Sequence, residues 1–192
     1  MEYNDSIITS KTVFARNCDV RKIDRKTAGD FLDRHHVYGS AACRHCYGLF
    51  RRRVTGSSEI QSVGDEAVCG ELVAVACFSN ARRWNKSGNI ITSYEWVRYA
   101  SLGDTRVVGG MGKLLKAFIE DLHPDDIMTY AISPAAPDRP RRETSVQTDP
   151  GNVFRKLGFV EVDRKTFPSR LDGGLSTSIK YRLKLTDWKE SE

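Results

Sequence analysis

The segment Thr105-Arg106-Val107-Val108-Gly109-Gly110-Met111-Gly112-Lys113-Leu114-Leu115-Lys116 places two glycines, Gly110 and Gly112, one residue apart. They follow a strand-like run, Tyr94–Ala100, and precede a helix-like run, Lys113–Leu122. A strand that passes through a glycine turn into a helix aims several backbone N–H groups at one point, where the helix start adds partial positive charge. That chemistry suits a diphosphate, because a Cβ would keep phosphate oxygens away from the backbone. A tight strand-to-helix connection without a ligand uses the same residues.

Three other groups carry reactive side chains. In Tyr94-Glu95-Trp96-Val97-Arg98-Tyr99, strand alternation puts Glu95 with Val97 and Tyr99 on one face and Trp96 with Arg98 on the other. A carboxylate set among aromatics has a raised pKa and suits a general base; an ion pair with a nearby arginine is the alternative. His35-His36-Val37-Tyr38-Gly39 and Cys43-Arg44-His45-Cys46-Tyr47 form a dense patch. Its Cys-x-x-Cys invites zinc, but no second ligand pair stands at a standard spacing. A strand starting at Arg44 would also point Cys43 and Cys46 to opposite faces, so no metal is expected. The third group, Arg82-Arg83-Trp84, suits nucleic acid, with the indole stacking on an unpaired base and the guanidinium groups on phosphate. A solvated basic loop with a capping tryptophan is equally consistent with it.

The elements that must position these groups can be read from periodicity. Lys11–Ile23 reads as a strand, Asp24-Arg25-Lys26-Thr27 as a helix start, and Ala28, Phe31 and Leu32 as a helical stripe running to His35. Strands are expected over His45–Val54, Glu71–Phe78, Ser93–Ser101, Asp126–Ile132, Phe159–Asp163 and about Ser176–Leu185. Thr55–Gly70 and Ala81–Asn89 read as loops. Ser133–Gly151 carries four of the six prolines and is expected to be a mobile loop. Asn152-Val153-Phe154-Arg155-Lys156-Leu157-Gly158-Phe159 reads as a short helix closed by a glycine. The predicted order is β-α-β-β-β-α-β-α-β-β, an α/β (α+β) arrangement.

At 192 residues the chain is expected to be one domain over 1–192, with its core at about 10–185. Its 40% hydrophobic and 29% charged residues are ordinary for a soluble globular protein. No apolar run approaches the roughly 20 residues of a membrane span, and Met1-Glu2-Tyr3-Asn4-Asp5 does not read as a signal peptide. Five scattered cysteines, at 18, 43, 46, 69 and 77, argue for reduced thiols. A cytoplasmic setting follows as an expectation. The net charge of +5 suits a polyanionic partner such as coenzyme A or nucleic acid. Basic residues cluster at Arg51-Arg52-Arg53, Arg82-Arg83 and Arg139-Pro140-Arg141-Arg142.

Val107-Val108-Gly109-Gly110-Met111-Gly112, followed about forty residues later by Asn152…Gly158-Phe159, resembles the cofactor loop and late helix of the Gcn5-related N-acetyltransferase superfamily. The resemblance spans about residues 10–185. It implies a mixed, mostly antiparallel sheet flanked by helices, with splayed middle strands that form the acetyl-CoA cleft, and a direct acyl transfer to an amine. Arg106 and Lys113 would supply charge to the phosphates. Val108, Gly109, Gly110, Met111 and Gly112 would supply backbone N–H, and Asn152 would contact the pantetheine arm. Backbone N–H groups of Val97 to Tyr99 would polarise the thioester carbonyl. Glu95 would be the base. Phe154 stands where relatives often carry a proton-donating tyrosine, so Tyr130 or Ser133 would substitute, and Val107 stands where Gln or Arg is usual. His35, His36 and Tyr38 would line the acceptor site with Glu95 and Tyr130, His36 and Tyr38 being further candidates for catalysis.

A finer likeness, carried by the His-x-Tyr-Gly turn, Tyr-Gly-Leu, Leu-Val-Ala-Val-x-x-Phe and Tyr-Glu-x-x-Arg-Tyr, is to phage Mom-type DNA-modification acyltransferases. It implies a nucleobase or nucleic-acid-linked amine as acceptor, with Arg82, Arg83 and Trp84 holding it. That group commonly has Tyr-Ala-Asp where this chain has Tyr130-Ala131-Ile132. Two rivals remain open: a nucleic-acid-binding module on a degenerate acyltransferase fold, and a metal-assisted base modifier using His35, His36, Cys43 and Cys46.

Overall fold

The computed structural model describes residues 11–52, 70–86, 88–134, 151–168 and 175–186. Most of the loops expected over Thr55–Gly70 and Ser133–Gly151, and with them Arg139, Arg141 and Arg142, lie outside the described residues, while Ser133 and Pro134 end a strand that starts at Asp126. Two compact units are formed, Met1–Ser79 with Arg98–His123, and Asn80–Val97 with Pro124–Glu192.

The first unit begins with β1 (Lys11–Phe14), a 3-10 turn (Ala15–Asn17) and β2 (Cys18–Lys22). One continuous strand was expected here. The turn breaks it because β1 pairs in parallel with β7 (Thr105–Val108), whereas β2 pairs antiparallel with β3 (His45–Arg51). Between β2 and β3 runs α1 (Arg25–His35), where Asp24 caps the start by accepting from the Thr27 N–H at 2.9 Å. Ala28, Phe31 and Leu32 form its buried stripe. β3 pairs antiparallel with β4 (Leu72–Phe78), whose run from Val73 to Phe78 is fully buried. The second helix, α2 (Gly110–Leu122), buries Leu114, Leu115 and Phe118, and the Phe118 ring stacks on Phe78 at 3.8 Å. Tyr47 meets both rings edge-on at 6.0 Å and donates its hydroxyl to Asp121 at 2.6 Å.

The second unit holds β5 (Arg82–Lys86), β8 (Asp126–Pro134), α3 (Asn152–Lys156), β9 (Val160–Pro168) and β10 (Leu175–Lys184). The long strand β6 (Asn89–Ser101) runs through both units; its residues up to Val97 belong here. The strand order is β6-β8-β10-β9, with β5 on β6. All pairs are antiparallel except β6 with β8, whose register runs from Ser93↔Asp126 to Trp96↔Thr129. An aromatic cluster of Trp96, Phe154, Phe159 and Tyr181, with ring centroids 5.7–6.4 Å apart, holds α3 to the sheet. The architecture is mixed α+β with mostly antiparallel strands, as expected. No described helix is long and apolar enough to cross a membrane.

Candidate functional site

The glycine turn sits in the first unit. Gly109 ends β7 in the left-handed region at φ 77°, a conformation that favours glycine, and α2 starts at the next residue. The helix therefore begins three residues before the start expected at Lys113. Gly110 is glycine for a different reason than anion approach. It is buried, and a Cβ there would meet Val107 Cγ1 at 2.7 Å and the Tyr99 hydroxyl at 3.0 Å. Burial pushes that phenol up to about 12. The N–H of Lys113 closes on the Gly109 carbonyl at 3.1 Å, so helical geometry leaves those of Gly110, Met111 and Gly112 at the helix mouth. No acidic residue occupies the first turn, and Arg106 and Val108 are exposed on β7. These groups fit an anionic diphosphate. Lys113 corrects its expected role: its ammonium donates to the carbonyls of Ala15, at 3.0 Å, and Cys18, tying α2 to the 3-10 turn.

The turn after α1 is built by its own hydrogen bonds. The Tyr38 N–H donates to His36 Nδ1 at 3.1 Å, the Gly39 N–H to the His36 carbonyl at 2.9 Å, and the Ser40 N–H to Asp33 at 2.7 Å. Arg98 Nε donates to the Gly39 carbonyl at 3.3 Å. The His35 ring lies against Phe31 at 4.6 Å, while Tyr38 is half exposed. Burial, with the Arg98 charge second, holds the His36 pKa below its ordinary value. A histidine with a depressed folded pKa contributes stability above its unfolded value, and that contribution is lost as pH falls through the folded pKa. His36 is therefore expected to titrate below an ordinary histidine, and Arg98→Leu to move its NMR titration midpoint upward. A midpoint unchanged by Arg98→Leu would remove the arginine as a cause.

Glu95, Arg82 and Tyr130 belong to the second unit. The segment Ala81–Asn89, expected as a loop, instead folds into a hairpin in which Trp84 pairs with Ile91 and Arg82 with Ser93. Residues without apolar alternation join the sheet here because β6 offers them an open edge to pair with. The strand divides the expected Arg82-Arg83-Trp84 trio, since alternation sends Arg83 to the opposite face. Arg82 and Trp84 line a cavity of about 210 Å³ with Tyr130, Met128, Lys180 and Arg182. The Arg82 guanidinium lies 3.6 Å from the Glu95 carboxylate, the ion pair given above as the alternative to a base, and Met128, in the cavity wall, is the register partner of Glu95. At the base, Asp126 is 2% exposed and lies 3.1 Å from Arg182 Nε. Burial raises the Asp126 pKa, and the Ser93 hydroxyl and Arg182 oppose that rise.

Lys180, Arg182 and Asp126 were not singled out from the sequence. Alternation along Ser176–Leu185 places Lys180 and Arg182 on one face, but nothing local shows that this face meets Tyr130. Asn152 is exposed at the start of α3, Val97 is half-buried on β6, and Phe154 packs edge-on against Trp96 at 5.9 Å.

No protein-family model matches the sequence, and no curated protein matches it. Solved structures do. NAA60 from Arabidopsis thaliana in complex with acetyl-CoA superposes with a TM-score of 0.55 at 12% identity, over 88% of this chain and 99% of that one. The ribosomal-protein-S18-alanine N-acetyltransferase from Escherichia coli gives 0.55 at 13% identity, over 91% and 98%. Spermidine/spermine N-acetyltransferase SpeG from Vibrio cholerae, in complex with manganese ions, gives 0.54 at 9% identity, over 88% and 94%. The chain has the N-acetyltransferase fold.

Proposed function

We propose that this protein is an acetyl-CoA-dependent N-acyltransferase that acts directly on an amine. The observation that carries the reading is the β7–α2 turn: a left-handed Gly109, N–H groups of Gly110, Met111 and Gly112 at a helix mouth without acidic residues, and an exposed Arg106 beside it. The fold shared with a structure solved with acetyl-CoA supports it.

When bound, acetyl-CoA supplies an acyl thioester. The chain's own residues do the rest. Arg106 and the turn, with Tyr99 packed beside Gly110, would hold the diphosphate. Glu95 takes the proton of the acceptor amine, with Arg82 orienting its carboxylate. Tyr130, half exposed in the cavity wall, is the candidate proton donor to the leaving sulfur in place of a tyrosine at 154. Backbone N–H groups at Val97 to Tyr99 would polarise the thioester carbonyl.

The acceptor cavity combines Trp84 and Tyr130 with Arg82, Lys180 and Arg182. Aromatic rings beside cations favour an acceptor amine on a molecule that is planar and anionic, and a nucleobase in a nucleic acid meets both requirements.

The test is release of free CoA thiol from acetyl-CoA with three acceptors: spermidine, a peptide with an N-terminal alanine, and a single-stranded oligonucleotide. Glu95→Gln is expected to lower kcat/KM by about 10²–10⁴-fold with an unchanged dissociation constant for acetyl-CoA. Full activity in Glu95→Gln would remove Glu95 as the base. Turnover of the peptide or spermidine but not the oligonucleotide would remove the nucleic-acid acceptor.

A further inference from the structure

From the sequence no metal is expected at the Cys-x-x-Cys, because no second ligand pair stands at a standard spacing and one strand would point the two thiols apart. The structure removes the second objection. β3 begins at His45, so Cys43 lies before the strand and turns back, bringing its Sγ to 3.4 Å from that of Cys46. A third thiol arrives from the neighbouring strand: Cys77 of β4 stands directly opposite Cys46 in the antiparallel register. All three sulfurs lie within 4.8 Å of one another.

We propose that Cys43, Cys46 and Cys77 form a binding site for a thiophilic metal ion of the Zn²⁺ class, held by three sulfurs. Ligands at about 2.3 Å from a tetrahedral zinc stand about 3.8 Å apart, so the observed spacing needs only small side-chain movements. The side chains packed around the cluster include Ala28, Phe31, Leu32, Val75 and Ala100, all apolar. With sulfur as the ligand atom, a soft metal is preferred over magnesium or calcium. Access exists on one side, because Cys43 is only partly buried.

Burial holds the Cys43 thiol protonated, and the hydrogen bond to Cys46 together with burial does the same for Cys77, so a bound metal must displace these protons. Zn²⁺ with three thiolates leaves one net negative charge, which the Arg25 guanidinium, acting on both Cys43 and Cys46, offsets in part. Binding releases three thiol protons to solvent and needs no oxidant. The metal would join β3, β4 and the segment that follows the His36–Tyr38 turn. The site does not depend on the acyl-transfer reading.

The experiment uses the full chain, reduced and freed of metal, titrated with Zn²⁺ by calorimetry and with Cd²⁺ by ultraviolet thiolate-to-metal charge transfer. One equivalent is expected to bind, to raise Tm and to protect three thiols from alkylation. Cys43→Ala, at the rim where folding is least at risk, is expected to weaken binding about 100-fold and abolish the Tm rise. Cys18→Ala, whose thiol lies outside the cluster, is expected to bind as the wild type does. Absence of the Cd²⁺ band in folded protein, or undiminished binding by Cys43→Ala, would overturn the proposal. So would isolation of the chain with a Cys43–Cys46 disulfide that stoichiometric Zn²⁺ leaves unchanged under reducing conditions.

Discussion

Gly110→Val is expected to destabilise the first unit and to abolish acetyl-CoA binding together. The sequence alone suggests a narrower effect, loss of the diphosphate with the fold intact. The structure gives the reason for the difference. The Cβ direction of Gly110 points inward, 2.7 Å from Val107 Cγ1, 3.0 Å from the Tyr99 hydroxyl and 3.5 Å from Leu49. Overpacking a close-packed site costs about 1–3 kcal/mol, and the two methyl groups beyond Cβ place valine at the upper end or past it. Arg106→Glu separates binding from folding. Arg106 is exposed, so stability should change by no more than about 0.5 kcal/mol. A reversed charge beside the helix mouth should still weaken acetyl-CoA about tenfold. Denaturant unfolding and calorimetry on both variants check this. A Gly110→Val protein with wild-type stability would show that the strand and helix can move apart to admit a side chain, and wild-type affinity in Arg106→Glu would take Arg106 out of the site.

Arg182→Leu is expected to destabilise the second unit by about 3–5 kcal/mol at neutral pH, because it leaves the Asp126 carboxylate buried without its partner. The pH dependence identifies the cause. Desolvation already raises the folded pKa of Asp126, so its protonated form is favoured in the fold; the associated stability is present below the unfolded pKa and lost as pH rises through the folded one. Without Arg182 that folded pKa rises further. The deficit of Arg182→Leu should therefore shrink as pH is lowered toward the ordinary carboxylate range. Adding Asp126→Asn should recover part of the loss at pH 7. A deficit that is the same at pH 4 and pH 7 would point to the lost contact of the guanidinium with the Met128 sulfur, not to the stranded charge.

Much of the framework was legible because it rests on local signals. Asp24 followed three residues later by Thr27 marks the start of α1, and the stripe of Ala28, Phe31 and Leu32 marks its buried face. The apolar run of β4 marks the centre of a sheet, and Gly158, at φ 89°, closes the short helix that the sequence places there. The misreadings have one physical origin. β5 forms from a run without apolar alternation because hydrogen bonds to the edge of β6 stabilise it, and the strand expected over Lys11–Ile23 breaks because its halves take different partners.

The candidate sites divide in the same way. Backbone conformation is a local matter, so the sequence by itself determined the glycine turn at 109–112 and the placing of Glu95 on a strand. Which side chains face one another was decided only by tertiary structure. Lys113 turns to the carbonyls of Ala15 and Cys18, Arg82 meets Glu95, and Cys77 completes a thiol trio with Cys43 and Cys46. Those meetings follow from strand register and helix packing between segments from about a dozen to nearly a hundred residues apart, and no periodicity within a single segment encodes how it meets another.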